Sequence, residues 1–148
     1  MKITKIIIKN LNSLRLDRDI DLEASPLGDT GLFAITGDTG AGKSTILDSI
    51  TLALYGQIPR NKEVTEVMSY GAVECASEVF FRVKGRLYWS KWSTYRAHHK
   101  PEGNLQQPKM ELAQWEEAQQ AWTTLTERKR EAPLMVEEIT GLDYDRFT

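Results

Sequence analysis

The chain alternates between two hydrophobic periods. Ile6 and Ile8 alternate with Ile7 and Lys9 in a β-branched run, the pattern of a strand near the edge or end of a sheet. Asn10-Leu11-Asn12-Ser13 is expected to break it. Leu16, Ile20 and Leu22 then share a parity against Asp19, Asp21 and Glu23, which predicts a second, half-buried strand followed by a turn around Pro26 to Asp29. Leu32-Phe33-Ala34-Ile35-Thr36 is continuously apolar, as a central strand buried on both faces requires, and it ends at Gly37. After Ser44 the period becomes helical: Ile46, Leu47, Ile50, Ala53 and Leu54 recur on one face, with Gly56 and Pro59 as the stop.

Pro59 to Val73 is polar and irregular and reads as a loop with one short helical turn. Glu78 to Val83, Arg86 to Arg96 and Lys109 to Trp115 read as antiparallel strands, the first two joined by Lys84-Gly85 as a hairpin turn. Trp115 and Trp122 flank Glu116 to Gln120 and are expected to pack around a hairpin or loop. Thr126 to Glu131 is too short and polar to assign. Pro133 to Thr140 reads as a helix capped by Gly141.

With 148 residues and 41% hydrophobic content, one domain with its own core is expected. Nineteen basic against twenty-one acidic side chains give a net charge of −2, so any contact with nucleic acid must come from a local patch. Cys75 is the only cysteine, so no intramolecular disulfide can form. Lysines interrupt the amino-terminal run where a signal peptide would be apolar. No segment approaches the roughly 20 apolar residues needed to span a bilayer.

The chemistry concentrates in Gly37-Asp38-Thr39-Gly40-Ala41-Gly42-Lys43-Ser44, placed between a buried strand and a helix. A triphosphate needs several backbone N–H groups converging on it, and Gly37, Gly40 and Gly42 remove the Cβ atoms that would obstruct them. The free N–H groups and positive dipole end of the following helix favour the anion further. Lys43 brings a charge to the β- and γ-phosphates, and Ser44 offers a hydroxyl to a magnesium ion. ATP with Mg2+ is the expected ligand, with Thr45 at the margin of the loop.

Other constellations compete for attention. Leu134-Met135-Val136-Glu137-Glu138 imitates an apolar strand ending in a catalytic acid pair, but Pro133 and the spacing to Ile139 favour one face of a helix. From Val79 to Pro101 there is no acidic residue, and Arg82, Lys84, Arg86, Lys91, Arg96 and Lys100 interleave with Phe80, Phe81, Tyr88, Trp89, Trp92 and Tyr95. Such a hairpin could hold a phosphate backbone and stack on bases. Strand alternation, with aromatics on the core and basic residues in solvent, accounts for more of the pattern. His98-His99 has no cysteine or carboxylate cluster at ligand spacing and reads as a solvated loop pair. No nucleophile triad can be assembled.

The run from Gly37 to Ile50, continuing to Ala53-Leu54-Tyr55-Gly56, resembles the SMC-like DNA-repair ATPases. Lys9-Asn10-Leu11-Asn12-Ser13-Leu14, Gly103-Asn104-Leu105-Gln106 and Thr140-Gly141-Leu142-Asp143-Tyr144-Asp145-Arg146-Phe147-Thr148 look specifically like the SbcC family of ATPase subunits. The resemblance implies an α/β P-loop NTPase of ABC/SMC type, a mixed sheet around the Walker A strand, loop and helix plus an antiparallel β portion. It covers residues 1–148 as the N-terminal lobe of a head whose coiled coil and C-terminal lobe would follow, so the chain looks like a fragment or one piece of a reassembled head. It also implies ATPase activity, in an ATP-dependent double-stranded DNA exonuclease, only in the complete protein. There, ATP lies between two heads and needs a signature, a Walker B pair and a glutamine loop supplied elsewhere. Partners implied are an SbcD-type nuclease subunit, the missing lobe, a second head and double-stranded DNA, all in the cytoplasm. Asn12 and Ser13 are expected near the nucleotide, although many relatives carry arginine where Asn12 stands. Two other readings of the motif stay open: a small P-loop kinase, and a nucleotide-gated interaction module that never turns ATP over.

Overall fold

A computed structural model describes residues 1–12, 14–23, 43–58 and 67–147. Its described strands are β1 (Lys2–Leu11), β2 (Leu14–Asp21), β3 (Glu74–Val83), β4 (Arg86–Tyr95), β5 (Lys109–Glu116) and β6 (Ala121–Thr126). The helices are α1 (Lys43–Tyr55), α2 (Ala132–Thr140) and α3 (Tyr144–Phe147). The strands form one six-stranded sheet in the order β2-β1-β3-β4-β5-β6. Every neighbouring pair in it is antiparallel. The buried strand expected over 32–36 lies outside the described residues, and the antiparallel portion is what they show.

Alternation sorts the sheet's two faces. Ile6 and Ile8 of β1, Val79 and Phe81 of β3, Tyr88 and Trp92 of β4, and Met110 and Leu112 of β5 are all buried. They form the core with Leu52, Ala53, Leu54 and Tyr55 of α1 and Ala132 and Val136 of α2. α1 rests on the sheet through small polar groups as well as apolar ones. Ser90 Oγ donates to the Ala53 carbonyl at 2.6 Å, and Ser49 and Ser77 share a hydroxyl contact of 2.6 Å. Both sheet serines are fully buried. Their small volume lets the helix backbone approach, and their hydroxyls find partners that burial demands.

Several expectations shift. β1 lies one strand in from the β2 edge and runs through Leu11, but the expected break shows within its end, where Asn10 and Asn12 have positive φ of 52° and 49° and the register with β2 shifts between Lys9 and Leu11. β3 begins at Glu74, four residues before the expected start at Glu78. Leu47 does not join the core face of α1 and is 57% exposed. In the first half of the helix the buried residues are Thr45, Asp48 and Ser49. Leu47 sits about 200° around the axis from Thr45. β6 is a strand that hydrophobic period alone did not reveal, paired so that Trp122 faces Trp115.

Local signals place the turns. Lys84 and Gly85 both have positive φ, 51° and 78°, the conformation a two-residue hairpin turn requires. A Cβ on Gly103 would stand 2.2 Å from the Ala97 carbonyl oxygen, so only glycine fits there. Residues 134–138 are helical, with Val136 buried and Glu137 and Glu138 exposed, which excludes a strand ending in an acid pair. Gly141 caps α2 in the left-handed region, its N–H donating to the Glu137 carbonyl at 2.8 Å. Beyond the cap, the Tyr55 hydroxyl donates to the Leu142 carbonyl at 2.6 Å. The Tyr55 ring also meets those of Tyr144 and Phe147 at 6.0 and 5.8 Å. No described helix is long and apolar enough to cross a membrane.

Candidate functional site

Lys43 is the first residue of α1, so the motif enters the helix where its spacing requires. Ser44, in the first turn, is exposed, and Thr45 is 3% exposed. The first turn holds no acidic side chain, so no carboxylate there opposes an anion at the positive dipole end. A helix N-terminal turn with an exposed serine hydroxyl is chemically suited to phosphate and to a magnesium ion. Gly37, Asp38, Thr39, Gly40, Ala41, Gly42 and Ser13 lie outside the described residues.

The turn after β1 is held beside this helix start. Asn12 Nδ2 lies 3.4 Å from Thr45 Oγ1, to which it donates. The Asn12 backbone is gripped from the other side: its N–H donates to the Val67 carbonyl at 2.7 Å, and its carbonyl accepts from Ser69 Oγ at 2.7 Å. An isolated bridge between Leu11 and Met68 continues the same contact. Asn12 and Thr45 were expected from the sequence to be neighbours of the loop. Val67 and Ser69 were not, because nothing in a 67–69 segment read alone announces its partner more than fifty residues earlier.

Among the described residues, no group of three or more histidine, cysteine or acidic side chains is disposed to hold a metal ion. His98 and His99 are exposed, and His99 stacks on Tyr95 with ring centroids 5.2 Å apart. Cys75 is 1% exposed, and burial pushes its thiol up to about 12, which leaves it protonated and unreactive.

The basic, aromatic hairpin divides in a way the alternation only half anticipates. Phe81, Tyr88 and Trp92 enter the core, but Phe80 and Trp89 are on the opposite face, where they meet Trp122 at 5.8 and 6.3 Å. Trp115 joins them, 5.4 Å from Trp122, and Lys5 lies 5.9 Å from the centroid of the Phe80 ring. Carboxylates are interspersed with the basic residues on this face. Arg82 Nε donates to Glu23 at 3.2 Å, Glu78 accepts from the Trp89 indole at 2.9 Å, and register sets Lys91 between Glu78 and Glu111. Neighbouring segments thus bring acids beside Arg82 and Lys91 of the stretch from Val79 to Pro101.

This antiparallel sheet with α1 laid across one face has the α/β fold of a solved SMC-type ATPase. A solved structure described as "Structural biochemistry of ATP-driven dimerization and DNA stimulated activation of SMC ATPases" matches with a TM-score of 0.59 at 18% identity, over 95% of this chain and 81% of that one. A family model described as AAA domain matches residues 5–132, and the chain belongs to that family. Within it the sequence is of the SbcC and Rad50 type. The SbcC subunit of the nuclease SbcCD from Pseudomonas aeruginosa is 35% identical over all of this chain, which spans 14% of that relative's length. The Probable DNA double-strand break repair Rad50 ATPase of Aquifex aeolicus is 32% identical, again over all of this chain and 14% of its own length.

Proposed function

We propose that residues 1–148 form the N-terminal, ATP-binding lobe of a DNA double-strand-break repair ATPase that regulates a partner nuclease through ATP-driven engagement of two heads. The observation that carries this reading is the start of α1 at Lys43, directly after the glycine motif, with Ser44 exposed and no acid in the first turn. Backbone N–H groups from Gly37 to Ser44, with Asp38, Thr39, Ala41 and Thr45 in the same loop, cradle the phosphates. Lys43 neutralises the β- and γ-phosphates, and Ser44 ligates magnesium. Asn12 and Ser13 border the nucleotide, Asn12 as an uncharged donor. Bound Mg-ATP supplies the γ-phosphoryl group whose hydrolysis releases the heads.

On this reading catalysis is composite. Phosphate binding is local, whereas the signature and Walker B groups come from a C-terminal lobe and a second head. The relatives' names support an SbcD-type nuclease subunit and double-stranded DNA as partners; the cytoplasm is the compartment this reading expects. Calorimetry with Mg-ATP should give heat of association that Lys43→Ala abolishes. Negligible turnover by the chain alone, regained when a lobe carrying the missing motifs is added, is the second expected result. Robust Lys43-dependent hydrolysis by the lone chain would contradict the composite site, and equal ATP binding by Lys43→Ala would remove the reading altogether.

A further inference from the structure

The turn Ser69-Tyr70-Gly71-Ala72 carries a large ring that the rest of the described chain leaves uncovered. The Ala72 N–H donates to the Ser69 carbonyl at 3.0 Å, and Gly71 supplies the positive φ of 79° that the third position of such a turn needs. The segment leading into it is tied to the end of β1: the Asn12 N–H donates to the Val67 carbonyl at 2.7 Å and the Ser69 N–H to the Asn10 carbonyl at 2.9 Å. Val67 and Ser69 are accordingly 2% and 4% exposed, whereas Tyr70, the next residue, is 91% exposed. The other exposed aromatic side chains, Tyr95 and Trp122, lie against neighbouring rings. Tyr70 meets no ring among the described residues.

We propose that Tyr70 is the base-stacking residue of the nucleotide site, its ring lying against the flat face of the adenine of bound ATP. The inference rests on the nucleotide reading above and extends it, since the glycine motif addresses only phosphates and magnesium. Asn12 is what places Tyr70 beside that site, because it touches both. Its side chain donates to Thr45 Oγ1 in the first turn of α1 at 3.4 Å, and its carbonyl accepts from Ser69 Oγ at 2.7 Å. Tyr70 stands one Cα step, about 3.8 Å, beyond that second contact. A nucleotide whose triphosphate occupies the start of α1 must carry its base away from the helix, and on the Asn12 side the ring that stands free is that of Tyr70. Tyrosine offers a broad face with little side-chain freedom to lose, and every base has a π-face to meet it. Because the turn is braced against β1, the ring is in position before the ligand arrives.

Calorimetric titration with Mg-ATP and, separately, with magnesium tripolyphosphate tests this. Tyr70→Ala should weaken Mg-ATP by about tenfold or more, the scale of one lost base–aromatic stack. Tyr70→Phe keeps the aromatic plane and should stay within about twofold of the unaltered chain. Tripolyphosphate has no base, so the unaltered chain and both variants should bind it equally. The side chain is exposed and the turn is held by backbone bonds, so the alanine variant keeps its fold. Mg-ATP bound as tightly by Tyr70→Ala as by the unaltered chain, or tripolyphosphate weakened as much as ATP, overturns the proposal. Lys43→Ala reports separately on the nucleotide reading itself, through the loss of both ligands.

Discussion

Glu74 lies at 2.6 Å from Lys9 Nζ and 3.8 Å from His99 Nε2. The hydrogen bond from Lys9 holds its carboxyl below the usual carboxylate range, against a smaller opposing effect of burial, with the charges of Lys9, His99 and Lys91 adding to the depression. A depressed folded value means that the contribution is complete above the ordinary carboxylate value of 4.5 and fades as pH falls through the lower folded one. Lys9→Met should therefore flatten the acid limb of the stability profile below that value, and urea titrations across pH 3 to 6, about the range where carboxylates titrate, measure it. Superimposable acid limbs in the two proteins would count against it. Cys75 yields a second expectation: with its thiol buried and pushed up to about 12, alkylation at mildly alkaline pH should proceed only as fast as the chain opens. Reaction within seconds in native buffer would show that the site is accessible. At this scale the start of α1 at Lys43 was legible, because local spacing marks where a glycine motif gives way to a helix. The grip of Val67 and Ser69 on Asn12 was not, since a hydrogen bond between distant segments leaves no local signature.

Elements were legible where the period was unambiguous. Alternation revealed β1, β4 and β5, and Pro133 with Gly141 bounded α2. Two failures have a common cause, namely that elements and their faces were judged from apolar residues alone. α1 turns Thr45, Asp48 and Ser49 inward and leaves Leu47 out, and threonine makes up half of β6. Polar residues that fit a tight interface are invisible to a hydrophobicity count. The docking of α1 makes this testable: Ser90→Val removes the bond to the Ala53 carbonyl and forces extra volume beneath the helix. A loss of about 1–3 kcal/mol is expected, read as a lower denaturation midpoint. An unchanged midpoint would mean that the helix has slack against the sheet.

For the whole molecule, the described sheet order and the position of α1 set the expectation that nucleotide binding is also folding energy. At Mg-ATP about a hundredfold above its dissociation constant, stability should rise by about 2.7 kcal/mol. Ser90→Val should keep that increment from its lower baseline, whereas Lys43→Ala should lose it with the baseline intact. Thermal melts with and without Mg-ATP separate the two, and an equal ligand response in Lys43→Ala would place the bound phosphates elsewhere. Fold class was readable because a glycine motif runs directly into a helix and alternating strands follow it along the chain. Sheet order was not, because it depends on which strand edges meet, and periodicity carries no address.

The hold of Tyr55 on Leu142 gives α1 a mechanical character. Thirteen residues make a rod about 20 Å long, with the phosphate motif entering one end and a phenol clasping residues 142–147 at the other. A stiff rod cannot tilt at one end alone, so any reseating of its head is transmitted to the clasped tail as leverage rather than dissipated in the core between them.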